Sequence, residues 1–338
     1  MDEPIVTRPG VVPPVRPAAD RDDGRPSPQQ VRGKGWRRIA KGLYVPSAID
    51  STDTAQRIAE AAAGVPGAAV TGWAALWWLG EPWSSGIDGR GILRDVPLSL
   101  GDRRQCKSRH GVRLVEDWLF ATDVTVVDGL PITVAERSVT YEARRAWSLD
   151  RAVQVIDMAA AADLIELATF HEYVGRLPAR PGIKQLRLAA SLADENVWSP
   201  MESTMRILWH VGSRRPKPLC NRPIFDRAGR HLLTPDVFDP EHAVAGEYDG
   251  AVHEGDKARR RDLDREERAR AAGIELVTMM AGDLGRPGPF FARLRGAYAR
   301  AEGRLGEPRR WTLDLPDGWV DTTTVAARRT FGRPLRRT

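Results

Sequence analysis

The run Val244-Ala245-Gly246-Glu247-Tyr248-Asp249 constrains this chain more than any other segment. Its small and apolar start reads as a strand inside a sheet, yet it ends in two carboxylates spaced so that both point to one face. Carboxylates gathered in a sheet repel each other and lose hydration. Such a face is tolerable where a divalent cation neutralises it. Asp236 follows Pro235 near the end of the preceding expected strand, and a hairpin brings it close to Glu247. Acids on adjacent strands can hold a hard cation that activates water against a phosphodiester. Other readings stay open at this point. Asp249-Gly250 is a common turn dipeptide, and Asp239 before Pro240 reads as the start of a turn.

A chain of 338 residues favours two domains. Its hydrophobic fraction of 42% is ordinary for a globular protein. No apolar run approaches the ~18 residues that span a bilayer; the longest, Ala68 to Gly80, reads as a buried helix. The N-terminus lacks a secretory pattern, so a cytoplasmic location without a membrane partner is expected. The two cysteines, Cys106 and Cys220, are far apart, which argues against a disulfide framework or a thiolate zinc site. The six histidines do not cluster either. A metal would therefore be held by oxygens, which points to Mg²⁺ or Mn²⁺. The net charge of +6 permits nucleic-acid binding without establishing it.

Along the chain, residues 1–30 form a Pro-rich, basic arm, poor in large apolar residues and expected to be disordered. Trp36 to Pro46 reads as a basic strand pair turning at Lys41-Gly42. Helices are expected at Thr54 to Ala63 and Thr71 to Gly80. Strands are expected at Val96 to Leu100, Val112 to Val115 and Val124 to Val127. Gly129 to Arg137 reads as a helix entry, with Thr133 and Glu136 at capping-box spacing. Two or three helices then run to about Leu192. A new start signal follows at Ser199-Pro200-Met201-Glu202, where Ser199 caps, Pro200 takes the first helical position and Glu202 is placed to close a capping box. Strands are expected at Leu219 to Asp226, His231 to Asp239 and His242 to Asp249. A charged helix (Asp256 to Ala272), a strand (Ile274 to Met279) and a helix (Pro289 to Ala301) complete the order. The charged helix is either a solvated face laced with ion pairs or a surface whose Lys257 and arginines meet phosphate. The resulting division is 1–30, an α+β domain over 31–195, an α/β domain over 196–303 and an extended tail over 304–338.

Several motifs follow one another in the second half: Ser199-Pro200-Met201-Glu202-Ser203, Pro235-Asp236, Gly246-Glu247-Tyr248-Asp249-Gly250-Ala251-Val252-His253, Arg261-Asp262-Leu263-Asp264-Arg265 and Gly273-Ile274. In this order they resemble an uncharacterised bacterial domain group related to the very-short-patch-repair endonucleases, within the PD-(D/E)XK nuclease superfamily. The resemblance implies a restriction-endonuclease-like α/β fold. It puts the helical acid at Glu202, the strand aspartate at Asp236 and the second strand acid at Glu247. Where the superfamily carries a lysine, Asp249 stands, and His253 or Lys257 is the candidate replacement. Asp236 and Glu247 are the expected metal ligands.

The N-terminal half resembles AbiEi-type antitoxins of type IV toxin–antitoxin systems. The residues responsible are Trp36-Arg37-Arg38, Gly42-Leu43-Tyr44-Val45-Pro46, Val70-Thr71-Gly72-Trp73-Ala74-Ala75, Gly129-Leu130-Pro131-Ile132-Thr133 and Glu136-Arg137. That family places a DNA-binding winged helix ahead of this stretch. Here the expectation is a winged-helix-like remnant: a wing hairpin without a three-helix reader before it. Arg37, Arg38 and Lys41, with Arg260, Arg261 and Arg265 from the second half, are the candidate DNA-binding residues. Three functions compete: a metal-dependent DNA endonuclease, a non-catalytic DNA-binding regulator of antitoxin type with a cognate toxin as partner, and a pure protein-interaction module.

Overall fold

A computed structural model describes residues 6–18, 25–101, 110–117, 119–250 and 265–330. Helices and sheets are mixed throughout, an α/β chain in the broad sense. It divides into two compact units, Met1–Arg145 and Ala146–Thr338.

In the first unit β1 (Trp36–Ala40) and β2 (Leu43–Pro46) form an antiparallel hairpin. It turns at Lys41-Gly42, where Gly42 takes φ 74°, a backbone state open to glycine at little cost. A five-stranded mixed sheet holds β3 (Ala69–Val70), β4 (Val96–Ser99), β5 (Val112–Val115), β6 (Val124–Val127) and β7 (Leu130–Thr133) in the order β5-β4-β3-β7-β6. Helices α1 (Thr54–Ala63), α2 (Gly72–Trp78) and α3 (Ala135–Arg145) accompany it. Ile58, Trp73, Trp78, Leu98 and Ile132 are buried in one cluster.

Two expectations fail here. Leu130 to Thr133 is a strand, not the start of a helix, because β3 and β6 flank it and pair with it. The Thr133 hydroxyl donates to Thr71 at 2.8 Å inside the core instead of capping α3. Nor is the N-terminal arm without structure. Val15 bridges Tyr44, Val6 is buried, and the Arg8 guanidinium lies 4.4 Å from the Trp78 ring centroid. Backbone pairing and cation–π contact hold what the arm's composition cannot. Among the described residues, the sole helical turn before the hairpin is the 3-10 turn Gln30–Arg32.

The second unit starts fifty or so residues before the division drawn from sequence (~50, on the scale of a small domain). Helices α4 (Leu149–Ala161), α5 (Leu167–Gly175) and α6 (Ile183–Leu192) belong with α7 (Pro200–Ile207). Asp157 on α4 is fully buried and accepts from Ser203 Oγ at 2.6 Å and Arg206 at 2.7 Å on α7, and from the Asp194 N–H at 2.8 Å. Ser199 caps α7 by accepting from the Glu202 N–H, and the helix runs on as a π turn over Leu208–Gly212.

A four-stranded sheet follows, made of β8 (Leu219–Cys220), β11 (Val237–Asp239), β12 (Val244–Asp249) and β13 (Glu275–Met280), in the order β13-β12-β11-β8. Strand β11 is antiparallel to both neighbours, and β12 is parallel to β13. Helical residues 265–271 (α8) lie between those parallel strands in sequence, and α9 (Gly288–Glu302) follows. The long strands expected at 219–226 and 231–239 are each broken. Asn221 sits at φ 44° two residues before Pro223, and Pro235 interrupts the second. The pieces β9 (Ile224–Asp226) and β10 (His231–Leu233) pair instead with β14 (Trp311–Thr312) in a separate sheet, order β10-β9-β14. The expected tail is therefore built in. Besides β14 it forms α10 (Val325–Thr330), whose Arg328 bonds Asp163 at 2.7 Å.

One face of the four-stranded sheet packs on Met205, Trp209, Phe290, Leu294 and Tyr298 from α7, its π turn and α9. Phe238 and Ala245 face the other side, with Ala269 of α8 and Trp311. Gly246 explains the small residues ahead of Glu247. A Cβ there would meet Val237 at 2.7 Å and the Trp209 ring at 2.8 Å. Gly246→Ala should cost about 1–3 kcal/mol by overpacking; urea unfolding of the two proteins measures it, and an unchanged midpoint would contradict this packing.

Candidate active site

The acidic residues gather where β11 begins and β12 ends. Val237 pairs with Gly246 in the antiparallel ladder, so Asp236 and Glu247 come next on either side of it. By strand alternation both share the face of Phe238 and Ala245. Asp236 Oδ2 accepts from the Tyr248 N–H at 2.7 Å. Glu202 arrives from the first turn of α7. Its Oε2 accepts from the Trp198 N–H at 2.9 Å and from Asn221 Nδ2 at 2.8 Å. Glu202 thus reaches the N–H one residue before the expected N-cap Ser199 and does not close a capping box, and it lies near enough to Asp236 to act on it.

Burial pushes the Asp236 carboxyl up to about 7, the nearby charges of Glu202 and Glu247 add to the rise, and Tyr248 and Arg265 oppose it. Glu247 forms an ion pair with Arg265 of α8, and Arg265 also donates to the Thr234 carbonyl at 3.3 Å. Arg265 is thus, among the described residues, a cation that this acidic face meets. Asp249 closes β12 in an exposed position. His253, Lys257, Arg260 and Arg261 lie outside the described residues.

Of the candidate DNA-binding residues in the first unit, Arg37 is engaged by Glu60 through two contacts of 2.8 Å. Arg38 and Lys41 are exposed, with Arg38 Nε donating to the Ala40 carbonyl at 3.1 Å.

Sequence reasoning missed Asn221, the side chain that orients Glu202. Its signal was the Asn-Arg-Pro sequence, a combination that breaks a strand and favours a left-handed turn. It also missed the direct pairing of Arg265 with Glu247, since helical phase alone cannot select one arginine among many.

The oxygens of Asp236 and Glu247 are of the kind that Mg²⁺ or Mn²⁺ takes, and a half-buried carboxyl pushed up by burial and by two acidic neighbours is short of positive charge. Among the described residues no three His, Cys, Asp or Glu side chains stand together closely enough to hold a metal as they are. No helix among the described residues is long and apolar enough to cross a membrane. No family model, curated protein or solved structure matches the chain.

A carboxyl at about 7 in the folded protein and 3.8 in the reference state takes up a proton on folding between those values. Stability should therefore fall as pH rises through that window, in buffer with EDTA. Asp236→Asn keeps an acceptor for Tyr248 and removes the titration. It should be more stable than the wild type by on the order of 2–4 kcal/mol at pH 8, and by little at pH 4. Denaturant unfolding across pH reads the difference; a gap independent of pH would rule out Asp236 as the titrating group.

Proposed function

We propose that the second unit is a divalent-cation-dependent DNA endonuclease of the PD-(D/E)XK kind, acting on phosphodiester bonds. The observation that carries this reading is the placement of Asp236 and Glu247 on one sheet face, with the Asp236 carboxyl pushed up to about 7 by burial and by the nearby charges of Glu202 and Glu247. The order α7, β8, β11, β12, α8, β13, α9 and the mixed sheet β8-β11-β12-β13 support it, since the superfamily resemblance implies a restriction-endonuclease-like arrangement of helix, three strands, helix, strand and helix.

Asp236 and Glu247 would hold Mg²⁺ or Mn²⁺. The chemistry such a cation supplies is activation of water and neutralisation of phosphate charge. Glu202, held by the Trp198 N–H and the Asn221 amide, adds to the negative potential at Asp236. Arg265 supplies positive charge from α8 on a face where the superfamily's lysine position is Asp249. His253 and Lys257 are the further candidates for proton transfer and phosphate binding. The first unit would serve as a targeting module through its exposed Arg38 and Lys41.

A second reading is favoured by the Arg265–Glu247 ion pair, which already satisfies one acid without a metal. In it, the protein is a non-catalytic DNA-binding regulator of antitoxin type that keeps the fold as a scaffold and answers to a cognate toxin.

Incubation of plasmid and single-stranded DNA with Mg²⁺, Mn²⁺ or EDTA separates the two. Cleavage should require the cation and vanish in Asp236→Ala and in Glu247→Ala. His253→Ala should slow it by roughly 10²–10⁴-fold, as loss of one acid–base group does. Wild-type protein that binds DNA equally well in EDTA and never cuts would establish the regulator instead.

A further inference from the structure

The turn between β9 and β10 and the segment leading into β14 enclose an open cleft of about 780 Å³ lined by Asp226, Arg227, Arg230, Glu307, Arg309 and Arg310, with Ala228 and Pro308. Its arginines are all exposed. Asp226 is consumed by the turn itself. Its Oδ1 accepts from the Ala228 and Arg230 N–H groups at 2.9 Å each, and its Oδ2 from Arg230 Nε at 2.7 Å. Arg227 Nε donates to the Arg309 carbonyl at 3.1 Å, which ties the turn to the incoming segment. The Arg309 guanidinium sits 5.1 Å from the Trp311 ring centroid, and Arg310 donates to the Ala271 carbonyl at 3.3 Å. Among the described residues, Arg227, Arg309 and Arg310 have no carboxylate partner.

We infer that this cleft grips the phosphodiester backbone of a nucleic acid strand. Guanidinium groups fixed by their own backbone and ring contacts present planar donor forks that match phosphate oxygens. The lining lacks the large apolar side chains that form the core of a protein–protein interface. An open trough suits a polymer passing through it better than a small ligand, which is enclosed on most sides.

Helix α8 relates the cleft to the acidic residues. Arg265, the first of its described residues, pairs with Glu247, and the Ala271 carbonyl at its end receives Arg310. At 1.5 Å per residue those two residues are about 9 Å apart. A duplex advances about 3.4 Å per base pair, so a strand held at the cleft reaches the acids within a few nucleotides. That positioning role rests on the nuclease reading; the grip on phosphate does not.

The test is fluorescence anisotropy of labelled single- and double-stranded oligonucleotides with the full chain, in EDTA, across a range of KCl. Arg227→Ala/Arg309→Ala should weaken duplex binding roughly tenfold or more. It should also lower the slope of log K against log[salt] by about 0.9 for each phosphate no longer neutralised. Arg310→Ala, which gives up a single bond to a carbonyl, should act the same way, and Arg227→Lys/Arg309→Lys should restore most of the slope. Unchanged slope and affinity in the alanine variants would overturn the inference, as would wild-type protein that binds neither oligonucleotide. Displacement of DNA by polyglutamate at equal charge concentration would overturn it as well. Cleavage with Mg²⁺ is measured on the same variants. A wild type that never cuts, with slopes that fall as expected, keeps the cleft and loses the nuclease reading. A wild type that cuts, with slopes unmoved, does the reverse.

Discussion

The contact between the Trp209 ring and Gly246 positions the elements of the second unit against one another. A strand without a side chain at this point lets the indole lie against the sheet, where any Cβ would stand at 2.8 Å from the ring. The indole is fixed in turn. Its Nε1 donates to the Tyr298 hydroxyl at 3.1 Å, and that hydroxyl donates to Asp239 Oδ2 at 2.7 Å. Asp239 also accepts from the Glu241 N–H at 2.9 Å, which shapes the turn between β11 and β12. One buried polar chain therefore joins the π turn after α7, helix α9 and the hairpin of the central sheet. Because Glu202 rides on α7 and Asp236 and Glu247 ride on the hairpin, the same chain fixes how near the three acids stand.

Much of this architecture was legible in the sequence wherever a local signal decided the matter. Helix α1 and strands β5 and β6 occur at the residues expected from periodicity, and Ser199-Pro200 starts α7 as its capping chemistry requires. Failures arose where a distant partner decided. Leu130 to Thr133 is a strand because it has neighbours on both sides, and nothing within those residues announces them. The segment after Gly306 looked extended, and its Trp311 does pair as a strand, but only with β9 far earlier in the chain. The division between the units was misplaced for the same reason. Asp157 and Arg206 lie on helices well separated in sequence, and their buried ion pair carries α4 across the boundary that composition suggests.

The face shared by Asp236 and Glu247 was legible from spacing alone. Two acids spaced by two on a strand, and a third beside a proline on the neighbouring strand, can share a face whatever the rest of the chain does. Their partners were not legible. Asn221 reaches Glu202 by way of a strand break, and Arg265 reaches Glu247 from a helix rich in arginines, so each depends on three-dimensional placement.

The three acids obtain relief from like charge in three different ways. Glu202 takes it from dipoles, through a backbone N–H and a side-chain amide. Glu247 takes it from the Arg265 guanidinium. Asp236 has a single backbone N–H donor among the described residues, and burial beside two acids makes a proton its remaining resource near neutrality. A proton, a guanidinium and a divalent cation are alternative sources of the same positive charge for one carboxylate. The cluster's demand is greatest at Asp236, so that is where a cation would displace a proton, and the affinity for any such cation must rise with pH. The arginine on Glu247 acts in the other direction, since a cation shared with Glu247 would have to compete with Arg265 for the same oxygens.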